Sequence, residues 1–154
     1  MAENTPRLSF TCDYEEGAHP AILKRLAETN FLKEPGYGYD EFSLAAKDKI
    51  REACGAPNAG VYFLIGGTKC GALLGEAVVI PNPDFIPHFF TTIKQHGALL
   101  AKGRVAGIQF ETLFTDGLYE KIGIPAIRNA RKIQDALRAS GYELLFESPT
   151  NQIF

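Results

Sequence analysis

Two short apolar runs, "VYFLI" (61–65) and "EAVVI" (76–80), flank the stretch "GGTKCG" (66–71), and no other feature constrains the fold as strongly. Each run is too short for a buried helix and is rich in β-branched and aromatic residues, so each is read as a strand buried on both faces. The glycines between them leave backbone bare where something must approach closely, and Lys69 stands in their midst. A strand that runs into glycine-rich backbone and a hydroxyl makes an anion pocket, because amide N–H groups can converge on phosphate oxygens. Gly66, Gly67 and Thr68 would form it. The nucleotide P-loop and the dinucleotide fingerprint need glycine spacings that "IGGTKCGALLG" does not supply, so kinase and dehydrogenase readings lose support. A lysine partly desolvated at the end of a buried strand has another use: its amine loses proton affinity and becomes a nucleophile toward aldehydes. A tight loop carrying a solvated lysine fits the same letters. On the hexapeptide alone the three readings stay open.

The rest of the composition narrows the class. With 154 residues, 45% hydrophobic and 22% charged, the chain can bury a core of about one domain. A net charge of −2 leaves no basic footprint for nucleic acid or an anionic membrane surface. Cys12, Cys54 and Cys70 are an odd set without C-x-x-C spacing, which predicts neither a disulfide framework nor a metal site and suits a reducing, cytoplasmic setting. The start "MAENTPRLSF" lacks the layout of a leader, and no run reaches the roughly 18 apolar residues of a membrane span. Cys70 invites a thiolate role beside Lys69, but no histidine is placed to activate it, and a small buried residue is the simpler reading.

Helices are expected in several places. Pro20 opens one in "AHPAILKRLAETN", with Asn30 closing it. "EPGYGYD" (34–40) is a loop, after which Asp40 caps a helix over roughly Glu41 to Cys54, with Gly55 in a left-handed cap. Between Asn82 and Gly97 a capped helix is predicted with Pro83 at its first position and Pro87 early enough to be tolerated or to kink it. Helix is also predicted from Ala98 to Phe114 and from Leu118 to Ser140, the latter interrupted around Gly123 and Pro125. "YELLFE" reads as a strand, "SPTN" as a turn and "QIF" as the start of another strand, so that the chain is expected to be cut within an apolar element.

Five stretches taken in chain order, "CDYEEGAHP" (12–20), "GYGYDEF" (36–42), "YFLIGGTKCGALLGEAVVI" (62–80), "KQHGALLAKGRVAGIQF" (94–110) and "ESPTNQIF" (147–154), resemble the threonine aldolase and β-eliminating lyase family of pyridoxal-phosphate (PLP) enzymes. The resemblance implies an α/β fold, a remnant of the fold type I, aspartate-aminotransferase-like architecture. Its three-layer α/β/α large domain would be mostly missing, and part of the small C-terminal domain would be present. Residues 1–80 would then be N-terminal helices plus joined strands of the large domain. Residues 81–154 would be interface helices and the start of the small α+β domain.

By the same resemblance Lys69 carries the cofactor's internal aldimine, with Thr68, Gly67 and Gly66 near its phosphate. Lys102 and Arg104 lie in a loop similar to one that approaches a neighbouring subunit's cofactor, and Asp13, Tyr37 and Asp40 match substrate-side positions. The implied reaction is retro-aldol cleavage of a β-hydroxy amino acid, such as threonine, to glycine and an aldehyde, by a homodimer or homotetramer with PLP as cofactor and no metal. Without the family, Asp13 and Asp40 would be a turn carboxylate and a helix cap, Tyr37 a packing aromatic, and Lys94, Lys102 and Arg104 a solvated face.

Departures from the family are equally specific. The segment that would carry the ring-stacking aromatic and the aspartate pairing the pyridinium nitrogen, the partner that makes the ring an electron sink, has no counterpart, and neither has the substrate-carboxylate arginine. Asp116 in "FTDGLY" is a turn residue, His19, His88 and His96 do not match the stacking position, and Cys12 stands where relatives carry Asn or Ser. The expectation is therefore a chain that alone binds PLP weakly and cleaves hydroxyamino acids poorly or not at all. A non-catalytic remnant acting through oligomerisation is the alternative, and a stand-alone phosphate module is a third reading.

Overall fold

The computed structural model describes residues 17–66 and 71–154. Asp13, Cys12, Gly67, Thr68, Lys69 and Cys70 lie outside the described residues. Among the described residues, five α-helices and a two-stranded sheet make a mixed α/β arrangement: α1 (Pro20–Glu28), α2 (Glu41–Ala53), β1 (Gly60–Leu64), β2 (Glu76–Ile80), α3 (Phe89–Gln95), α4 (Arg104–Leu113) and α5 (Leu118–Ala139).

The two apolar runs are strands, but they pair with each other. β1 and β2 run antiparallel, from Gly60 opposite Ile80 to Leu64 opposite Glu76. The burial expected on both faces is corrected: in β1 only Val61 and Phe63 are buried, alternating with half-buried neighbours, and in β2 only Ile80 is buried. A hairpin has one face for the helices, and period-2 alternation sends the other side chains away from them.

α4 is the centre of the core. It packs against α1 and α2, and its Ala106, Phe110 and Leu113 join Ile22, Ala46, Ile50, Val61, Phe63 and Ala72. Phe110 stacks on Phe63 with ring centroids 4.9 Å apart. The α2–α4 crossing is closed by Gly107, where a Cβ would lie 2.6 Å from Ser43 N and 2.7 Å from Ser43 Cα. The core thus draws on both sides of residue 80.

Local signals account for the helix ends. Asp40 Oδ1 accepts from Ser43 N at 2.8 Å, and Gly55 takes φ +60 after α2, both as expected. Pro20 opens α1 behind His19, whose Nδ1 accepts from Ala21 N, while Thr29 rather than Asn30 closes it. Pro87 does more than kink the predicted helix. It holds Ile86 extended (φ −123, ψ 93), leaving a 3-10 turn, Pro83–Phe85, and a separate α3.

Three other expectations are corrected. Residues 98–103 are not helical: Ala98 N bonds back to Ile93 O, and Ala101 O accepts from Tyr37 N at 3.0 Å. The Leu118–Ala139 helix is uninterrupted through Pro125, whose exposed flank lets water reach the carbonyl its ring leaves unbonded. "YELLFE" is not a strand. No strand of the described residues runs beside it, so the last turn folds on itself through Leu145 N to Phe154 O, 2.9 Å, and the Phe146–Phe154 stack. Among the described residues no helix is long and apolar enough to cross a membrane.

Candidate functional site

The segment that bears Lys69 is the connection of the β1–β2 hairpin, and the described residues at both of its ends are tied down. On the way in, Ile65 N donates to Ala98 O at 2.8 Å. At Gly66 the exposed Glu76 side chain lies where a Cβ would go, so a larger residue there would have to displace that flexible side chain. On the way out, Gly71 O accepts from His19 N at 2.7 Å. Leu73 N and Leu74 N then both donate to Gln109 Oε1, at 2.6 and 3.2 Å. Gln109 is fully buried on α4, and its amide nitrogen donates to Val105 O. This glutamine was missed by sequence reasoning. Its signal was a polar residue inside "VAGIQF", at a position facing the core.

Next to the start of that connection lies a small cleft lined by Tyr37, Lys47, Tyr62, Phe90, Leu99 and Leu100, among others. Its volume is ≈ 20 Å³, room for about one water. Lys47 Nζ donates to Gly38 O at 3.0 Å and lies 5.9 Å from the centre of the Phe63 ring. Burial holds this amine below the ordinary lysine value of 10.5; the Arg51 charge adds to the effect and the Asp40 charge opposes it. Lys47 too was missed, because nothing in "AAKDK" distinguishes a lysine that faces the cleft from one that faces water.

The depressed value fixes a sign. Below the folded-state pKa both states are protonated, and the full cost of the half-buried charge is present. Between that pKa and 10.5 the unfolded chain binds more protons, so stability rises with pH. Relative to Lys47→Met, which cannot titrate, the wild type should gain stability as pH rises from neutral toward 10.5; urea unfolding of both proteins at the two ends of the range measures it. A difference that is flat, or that moves against the wild type, contradicts this.

Of the described residues singled out by sequence, Asp40, Arg104 and Tyr37 are engaged within the chain, while Lys102 is exposed. Asp40 is fully buried; one oxygen caps α2 and the other accepts from Ser43 Oγ at 2.8 Å. Arg104 is the first residue of α4 rather than a loop residue. Its guanidinium donates to Thr29 O, Asn30 O and Leu32 O at 2.9 to 3.0 Å, closing the end of α1. Tyr37, at φ +58, carries the Lys94 ammonium 4.3 Å from its ring centre. Lys102 is exposed in the turn before α4.

Of the groups a PLP site would draw on, the Asp40 carboxylate and the Arg104 guanidinium have partners within the chain, Lys102 is exposed, and the exposed Glu76 side chain lies over Gly66. As they stand, Asp40 and Arg104 do not fit a cofactor, which they could hold only by giving up those bonds. Among the described residues no cluster of His, Cys, Asp or Glu could hold a metal ion.

No protein-family model matches the chain. No curated protein matches it in sequence. Among solved structures it is similar to a threonine aldolase of Leishmania major, with a TM-score of 0.81 and 20% identity over 96% of this chain and 84% of that one. An identity so low speaks for the fold: the five helices and the two-stranded sheet follow a threonine-aldolase-like α/β arrangement.

Proposed function

We propose that this chain is related to the PLP-dependent aldolases and lyases and that, by itself, it cleaves β-hydroxy amino acids poorly or not at all. The fold likeness and the five matching stretches support the relationship. One observation carries the second half: of the described residues that the resemblance assigns to cofactor and substrate, Asp40, Arg104 and Tyr37 each have a partner from within the chain. A group already bonded at good geometry must lose that bond before it can serve a ligand, at a cost of about 0.5–3 kcal/mol per contact.

The test is glycine and aldehyde release from threonine and from a bulkier β-hydroxy amino acid, with PLP in excess. The expected rate does not exceed that of PLP mixed with a Lys69→Ala chain. Lys69-dependent release of both products would sink the proposal.

A second reading, association without catalysis, is favoured by the surface. α5 buries only Ala130 and Gln134, while Ile124, Ile133, Leu145 and Phe146 stay exposed. Most of α5 is thus exposed, a length of helix that a partner could cover. Homodimers or homotetramers, implied by the resemblance, would serve this reading.

A further inference from the structure

We propose that the cleft between α5 and the C-terminal turn is a binding site for a small carboxylate-bearing molecule, held by the guanidinium of Arg131 and the amide of Gln134. The site goes beyond both readings above and depends on neither.

Buried polar side chains are hydrogen-bonded, because a buried group without a partner has lost water and gained nothing in return. Five polar residues are buried among those described, and Thr29, Asp40, Ser43 and Gln109 all have side-chain bonds. Gln134, 4% exposed, has none. Neither atom of its amide is sealed from solvent, since among the described residues the only enclosed side-chain atom without a hydrogen bond is Glu111 Oε2. Gln134 lines the cleft, so its unbonded head opens there.

The cleft has the size and the charges of a small-molecule site. It measures ≈ 420 Å³, within the roughly 300–1,000 Å³ of ligand clefts. One wall is α5, where Arg131, Gln134 and Arg138 share a face by their i, i+3, i+7 spacing; the other is the turn that carries Glu147 and Ser148. Arg138 braces the two walls. Its guanidinium donates to both oxygens of Glu147, at 2.6 and 2.7 Å, and to Asp135 Oδ1 at 3.3 Å. Both carboxylates at the rim are thereby taken, and the Arg131 side chain is left without an ion pair or hydrogen bond among the described residues.

The chemistry of the free groups names the ligand class. The planar fork of Arg131 matches the two oxygens of a carboxylate. A phosphate matches the fork as well, but its second negative charge would stand beside Asp135 and Glu147, whose side chains are 77% and 79% exposed. The single charge suits the site better. Gln134, about one turn along, offers both an N–H and a carbonyl, the complement of an amide.

N-acetylglycine, a carboxylate with a neighbouring amide, is therefore the probe, with N-acetylglycinamide as its uncharged match and inorganic phosphate as the rival anion. Titrated into isotope-labelled chain at constant ionic strength and followed by NMR, N-acetylglycine is expected to shift the Gln134 side-chain amide and the Glu147 and Ser148 backbone amides along one saturable curve. Arg131→Met, an exposed substitution, should weaken binding by at least about tenfold. Gln134→Met supplies a readout that needs no ligand: exchanging an unbonded buried amide for an apolar chain of similar shape should leave Tm unchanged or higher, while binding of N-acetylglycine falls. A lower Tm would mean that Gln134 is bonded within the chain, and would overturn the site. So would the absence of a saturable shift, equal shifts with the uncharged amide, tighter binding of phosphate, or binding indifferent to Arg131→Met.

Discussion

Gly103→Ala is expected to lower the stability of the whole chain by about 3 kcal/mol, the upper part of the range for overpacking. The backbone at 103 has φ −55 and ψ −31 and suits any residue, so conformation is no obstacle. Space is the obstacle. A Cβ at 103 would run into Gly38 N and lie 2.9 Å from Gly38 Cα and 3.0 Å from Tyr37 C, backbone atoms without a rotamer to move. The turn before α4 would be pushed off the 36–38 loop, straining the Tyr37 N to Ala101 O bond and the three carbonyl contacts of Arg104 next door. For a chain of this size the loss amounts to a fall in Tm of roughly 6–12 °C. Gly55→Ala is the matched control: its Cβ would meet nothing, and only the left-handed backbone at φ +60 would cost stability. A Gly103→Ala Tm within a degree or two of the wild type would show that the two loops are not packed in this way.

Gln109→Leu has the second large effect, and a more local one. The substitution keeps volume but removes the acceptor shared by Leu73 N and Leu74 N and the donor to Val105 O. Buried groups left unpaired cost about 1–3 kcal/mol each, and even partial access to water leaves a loss of about 2–4 kcal/mol here. The return limb of the Lys69 connection should loosen as well. Hydrogen exchange at 71–75 is the discriminating readout: it should speed up by at least tenfold relative to α2, whereas uniform acceleration would mean a general packing defect.

The two glycines and the glutamine illustrate what a sequence carries and what it does not. Asp40 and Gly55 were legible because a cap is a local matter of one side chain or one φ angle. "VYFLI" and "EAVVI" were legible as strands, but that they face each other was not, since neither run names its partner. Pro87 and Pro125 are the same residue in similar surroundings, yet one splits a helix and the other sits inside one. Both prolines are exposed, so burial does not separate the two outcomes, and the structure offers no account of the difference. "YELLFE" has the composition of a strand and lacks a ladder to join.

The site was legible to a lesser degree. Tyr37, Asp40 and Arg104 were picked out by resemblance, and the structure gives each of them a partner within the chain. The bland reading of Asp40 as a helix cap accounts for its bond from Ser43 N, though not for the second one, from Ser43 Oγ. For Arg104 even the bland reading fell short, because a solvated face does not foresee three carbonyls brought in by α1 from more than seventy residues away. Lys47 and Gln109 gain their character from burial, which arises only when α2 and α4 pack.

The most direct test of the central claim, that these residues are committed within the chain and do not assemble a cofactor site, is a PLP titration followed by borohydride reduction and peptide mapping. The account predicts no saturable long-wavelength absorbance at micromolar PLP and a reduced adduct spread over exposed lysines such as Lys24, Lys102 and Lys132 without preference for Lys69. Saturation at one equivalent with the adduct confined to Lys69 would contradict it, and would mean that the hairpin connection still holds the cofactor its sequence resembles.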